Sequence, residues 1–149
     1  MISKYVSIKR IEKKYIEEAR ATLKTVIAEE VKTAMKNNII DTVYSNPEGE
    51  YERTFSMLVS VVCSVVEDSN FSTIIEITPD PDRMNYNYPS IYNADSSYKD
   101  MIVEWLDKGT SGSSFYNHPE HNFIGLTAEQ VNTIISEALG RAFKRISSK

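Results

Sequence analysis

From Ser7 to Met35 the chain contains neither glycine nor proline. Apolar residues recur there at Ile8, Ile11, Tyr15, Ala19, Leu23, Val26, Ile27, Val31, Ala34 and Met35. Steps of three and four residues mark one face of an α-helix. No strand tolerates that periodicity, so a long amphipathic helix is the element everything else must accommodate. Lys14–Glu18 and Glu29–Lys32 stand at helical spacing on its outer side. Asn37-Asn38 is the expected end, because asparagine tolerates the left-handed conformation of a helix C-cap. Twenty-nine helical residues reach roughly 43 Å. A compact domain of this length is only about 40 Å across. The helix therefore lies across its own domain with both ends frayed, or projects and needs cover from another molecule.

At 149 residues the chain fits one domain, with 1–38 as a long helix that can project and 39–149 as an α+β body. The stretch Val59 to Val66 is rich in β-branched residues and predicts a buried strand. Glu67-Asp68-Ser69-Asn70 is turn-prone, and Ser72 to Thr78 completes an antiparallel hairpin. Pro79 and Pro81 end it, since proline cannot continue a ladder. Arg83 to Asp95 holds at most one short strand. Ser97 and Asp100 can cap a short helix carrying Tyr98, Met101, Ile102, Trp105 and Leu106, with Gly109 as its stop. Thr110 to Asn122 reads as a loop. Thr127-x-x-Gln130 has the form of a capping box for a last helix striped with Val131, Ile134, Ile135, Ala138, Leu139, Ala142, Phe143 and Ile146. The expected fold class is α+β: a long N-terminal helix, a small antiparallel β-sheet, a short helix, and a C-terminal amphipathic helix packed on the sheet.

Charge is unevenly spread. The net value of -4 combines +4 over 1–36, -9 over 37–108 and +1 over the rest. A basic arm on an acidic body suits head-to-tail association of copies. Ordinary Lys/Glu decoration of a solvated helix also produces it. Interspersed glutamates on the first helix argue against a tight grip on duplex DNA. The longest apolar run, Leu58 to Val66, is too short for a bilayer. The opening residues, broken by Lys4, Lys9 and Arg10, lack the apolar core of a signal peptide. Cys63 is the only cysteine, and in a valine-rich strand it reads as a small core hydrophobe.

Chemistry-bearing motifs are sparse. His118-Pro119-Glu120-His121, with Glu104 and Asp107 upstream, has some flavour of a metal site. Pro119 prevents the two imidazoles from sharing a helical face, so a solvated loop is the plainer reading. A small metal-dependent enzyme using the His118/His121 loop is the rival from another class. No phosphate loop, nucleophile elbow or dinucleotide fingerprint occurs. No cofactor and no catalytic residue is expected.

One further segment carries a likeness. Over Val43 to Leu58 a polar turn leads into Tyr51-Glu52-Arg53-Thr54, then into an apolar run. Further on come Trp105 with Gly109, and Phe123 near a closing helix. Over Val43 to Ile146 this layout resembles the tail-completion and minor tail (neck) proteins of tailed bacteriophages. The resemblance implies a structural virion protein, not an enzyme: a head–tail connector subunit, made in the bacterial cytoplasm and assembled with itself into a ring, typically a hexamer. It implies contact with neighbouring neck and tail proteins, DNA passing through without specific binding, and no membrane. A tail terminator is the alternative within the same class. Residues then expected at assembly interfaces are Ile8, Ile11, Tyr15, Leu23, Tyr51, Arg53 and Trp105, with the planar guanidinium of Arg53 acting as a clamp.

Overall fold

The computed structural model describes residues 2–45, 56–84, 103–109 and 120–148. A continuous helix runs from Ile2 to Tyr44, roughly 60 Å long. It comprises α1 (Ile2–Thr22), a π-helical turn (Leu23–Ile27), α2 (Ala28–Ile39) and a second π-helical turn (Ile40–Tyr44). Each π turn contains a threonine whose hydroxyl donates to the carbonyl four residues back: Thr25 to Ala21 and Thr42 to Asn38, both at 2.7 Å. Such back-bonding competes with the main-chain ladder and accompanies local loosening of a helix.

The expected stop at Asn37-Asn38 is corrected here. Asn38 is buried, and its Nδ2 donates to Thr127 Oγ1 at 3.0 Å and to Gln130 Oε1 at 3.2 Å. Those partners replace the backbone use that would have favoured a C-cap, and burial of Ile39 draws the helix onward. The presumed capping box falls with it. The final helix, α5, starts earlier, at Phe123, and Thr127 and Gln130 serve as interhelical partners of Asn38.

α3 (Ser56–Ser60) leads directly into β1 (Val61–Asp68), which pairs antiparallel with β2 (Thr73–Pro79). Ser69 N–H to Ser72 O at 2.8 Å closes the turn between them. A bulge lies between Val65 and Glu67. It adds one residue to β1 and so upsets the inward/outward alternation toward the turn. A three-residue 3₁₀ turn at Pro81–Arg83 follows, capped by Asp80 Oδ1 accepting from Asp82 N–H. Residues 103–108 form a short helix, α4, which stops at Gly109 with φ 75°, as its position in the sequence suggests. Its expected first half, Tyr98 to Ile102, lies outside the described residues.

α5 (Phe123–Ser147) runs antiparallel along the long helix. The pairings Asn38–Thr127, Glu30–Arg141, Glu18–Arg145 and Tyr15–Ser147 mark its course. Glu18 thus joins Arg145 instead of Lys14. Two apolar clusters hold the layers together. Met35, Ile39, Met57, Val61, Met84 and Phe123 make the first; Ile27, Val31 and Ala138 make the second. Ile77 of β2 touches both, which ties the sheet to the helical pair. The long helix is therefore not an appendage: from Ile27 to Ile39 it is the core.

Candidate functional site

The hairpin departs from the buried strand expected of it. Val59 sits in α3 and is exposed, and so are Val65, Val66 and Ile74. Phe71, in the turn, is 98% exposed. Cys63 is half-buried, not core filler. The reason lies in the company the sheet keeps. Among the described residues the sheet has two strands, and burial along β1 falls away from Val61 toward the turn. Cover from α2 and α3 extends over Val61 but stops before the bulge, leaving the turn end of the hairpin in solvent.

That turn end is anchored to the long helix by polar contacts. Lys24 Nζ donates to Asp68 Oδ2 at 2.6 Å, and Arg20 Nη2 donates to Asn70 O at 2.6 Å. Asp68 also accepts from Thr73 Oγ1 at 3.0 Å. The Lys24 ammonium, and next the Thr73 hydroxyl, hold the Asp68 carboxyl below its ordinary pKa. Glu67 accepts from the hydroxyls of Ser69 and Ser72, which organises the turn. The stretch 61–79 carries Glu67, Asp68 and Glu76 and no lysine or arginine. The result is an apolar, acidic knob.

The other exposed surface includes residues 10–14 of α1. Tyr15 stacks edge-on against Phe143 with ring centroids 5.1 Å apart. Its hydroxyl meets Ser147 Oγ at 2.9 Å. Ser147 already donates to Phe143 O, so the tyrosine O–H is the donor between them. Because α5 ends at Ser147 and runs antiparallel to α1, residues 2–14 continue beyond it for about 20 Å. Residues 10–14 are all exposed, Ile11 at 56%.

The residues expected at interfaces therefore scatter. Ile11 is on the projecting segment; Ile8 lies in the same helix. Tyr15 seals the end of the α1–α5 seam, and Leu23 packs on the second apolar cluster. Trp105 is half-buried in α4. Tyr51 and Arg53 lie outside the described residues. The exposed knob at Val65, Val66, Phe71 and Ile74 was missed because the Val-Val-Cys-Ser-Val-Val run does not alternate, and an unalternating run imitates a strand buried on both faces. The lack of basic residues in 61–79 was the available clue.

The acids near the histidine loop are engaged elsewhere. Asp107 is buried, and its Oδ1 accepts from the Ile124 N–H at 2.8 Å, within the first turn of α5. Its backbone oxygen accepts from Asn122 N–H at 2.8 Å and His121 N–H at 3.2 Å. Asn122, with φ 50°, gives α5 no side-chain cap, so Asp107 supplies that function from α4. Glu104 accepts from Lys108 Nζ at 2.8 Å, which lowers the pKa of the acid and raises that of the amine. Among the described residues no three His, Cys, Asp or Glu side chains are grouped to hold a metal ion; His118 lies outside them. No described helix is long and apolar enough to cross a membrane. A shallow groove of about 710 Å³ between the long helix and α5 is lined by residues including Asn37, Asp41, Glu129 and Thr133.

Compared with protein-family models, curated proteins and solved structures, the chain matches none.

Proposed function

We propose that the chain is an assembly subunit, and specifically a structural component of a tailed-bacteriophage neck: a tail-completion or head–tail connector protein that forms a ring with copies of itself. One observation carries the assembly part. Val65, Val66, Phe71 and Ile74 are each exposed toward the turn end of the hairpin, away from the core around Phe123. Exposed apolar surface that is rimmed by polar groups and persists in a folded protein marks contact with another macromolecule. The station in the neck is supported by the resemblance over Val43 to Ile146. Glutamates set among the lysines of the first helix, Glu12, Glu17 and Glu18, fit a ring through which DNA passes without being held.

Sedimentation-velocity measurement on the full-length protein tests this reading, with electron microscopy of whatever sediments fast. A closed ring, typically of six copies, is the expected result, as is the presence of the chain in purified phage particles. A species that stays monomeric at all accessible concentrations and occurs in no virion overturns it. Deletion of the whole first helix is unsuitable as a test, because Ile27, Val31, Met35 and Ile39 belong to the core.

A further inference from the structure

We propose that the leading segment of α1, residues 2–14, docks on the turn end of the hairpin of a second copy. This deepens the assembly reading above and rests on it. Charge selects the pairing. Residues 2–14 carry Lys4, Lys9, Arg10, Lys13 and Lys14 against Glu12 alone, a balance of +4, whereas 61–79 carries three acids and no base, a balance of -3. Apolar exposure matches charge on both sides: Ile11 within the segment and Ile16 just past its end, Val66 and Ile74 on the hairpin. A helix offering isoleucines between lysines to an acidic apolar surface gains from burial and from charge complementarity together.

The molecule already contains this contact in small form. Arg20 and Lys24, further along the same helix, bind Asn70 O and Asp68 of the same hairpin turn. The chain's own turn cannot also reach residues 2–14. It is fixed at Arg20, and Lys14 lies about 9 Å further along the axis, with the rest of the segment beyond. The occupant has to come from another molecule. Within the segment, Ile11 stands exposed between Arg10 and Lys13, and that apolar side chain amid the charge favours a protein surface over a phosphate backbone.

The test uses two full-length variants. Ile11→Asp with Lys14→Glu disables the helix segment; Val66→Asp with Glu76→Lys disables the hairpin. All four positions are exposed, so circular dichroism and the thermal midpoint should remain as in the parent. Each variant alone should show its self-dissociation constant raised at least about tenfold, and raising salt should weaken the parent's association. Mixing the two should restore a complex, because one copy's intact helix meets the other's intact hairpin. Parent-like assembly of both variants, or a mixture that fails to recover, overturns this contact while leaving ring assembly standing. A parent that stays monomeric overturns both. Retention of a monomeric parent on duplex DNA, abolished by Lys14→Glu, would assign the segment to nucleic acid and also overturn the proposal.

Discussion

The two ends of the long helix are finished in opposite ways. Around Ile39 the helix meets α3, the start of β1 and the first turn of α5, and Phe123 and Val61 between them are sealed from solvent. Polar groups caught there are satisfied: Ser60 Oγ donates to Met57 O, Asn38 to Thr127 and Gln130, and Asp107 accepts from Ile124. Around Arg20 the same helix is met by a hairpin turn through exposed ionic and main-chain contacts, with apolar side chains beside them left uncovered. Stability is concentrated at one end and unspent apolar surface at the other. That division suits a subunit that must fold alone and still adhere.

Two phenylalanines put the contrast to its severest test. Phe123→Ala empties the centre of the first apolar cluster and should cost about 3–5 kcal/mol in denaturant unfolding, since a buried aromatic is lost and its cavity cannot fully collapse. Phe71→Ala removes a ring that touches little and should change stability by no more than about 0.5 kcal/mol. Similar costs for the two would mean that the hairpin turn is covered.

Next in size come the buried polar contacts of the closed end. Asn38→Ala strips Thr127 and Gln130 of their shared donor and should cost about 1–3 kcal/mol. Asp107→Ala uncaps the first turn of α5 and should cost about 1 kcal/mol. Hydrogen exchange at Ile124 and its neighbours should quicken in the second variant and not in Phe71→Ala. Unaltered exchange would show that α5 does not depend on α4 for its cap.

What could be read from the sequence follows the same division. The long helix, the hairpin, the stop at Gly109 and the α5 stripe all announce themselves through local pattern. The errors sit where local pattern and tertiary partner compete. Asn37-Asn38 signals a helix end until Asn38 is given Thr127 and Gln130 to bond, 89 and 92 residues away. Thr127-x-x-Gln130 signals a helix start for the same reason, two polar residues whose true partner is distant. The hairpin's exposure was illegible because a valine run reports β-propensity but not how many layers will cover it. Ile11 is expected at an interface; Phe71 draws no expectation, because a lone aromatic in a turn carries no period.

Two glycines of α5 sharpen the comparison with unequal effects. A Cβ at Gly140 meets nothing within 4 Å, so Gly140→Ala exchanges a flexible residue for the best helix former and should stabilise by about 0.5–1 kcal/mol. A Cβ at Gly125 runs into the carboxamide of Asn122. Gly125→Ala should therefore push the exposed Asn122 side chain to another rotamer, and that cost should make its gain in melting temperature smaller than that of Gly140→Ala. If the two substitutions raise it equally, Asn122 turns aside without cost and the entry to α5 is looser than its contacts with Asp107 imply.

The smallest expected effect belongs to the open end and depends on pH. Asp68 titrates below its ordinary value of 3.8, chiefly because the Lys24 ammonium donates to its carboxylate and secondarily through Thr73. A depressed carboxyl contributes stability that is fully present above the unfolded-state pKa and disappears as pH falls through the folded-state value. Between pH 5 and 8 the Lys24–Asp68 contact should therefore be indifferent to pH, and it should be lost only as pH falls below 3.8 through the lowered folded-state value. Carbon-detected titration of the Asp68 carboxyl reads this directly, and Lys24→Met should move its midpoint upward toward 3.8. The exposure of both side chains keeps the stability change small, so the shift in midpoint, not the melting temperature, is the quantity to follow. If the midpoint stays put when Lys24 is replaced, the turn is held by Arg20 and Asn70 alone, and the hairpin's approach to the helix owes nothing to charge.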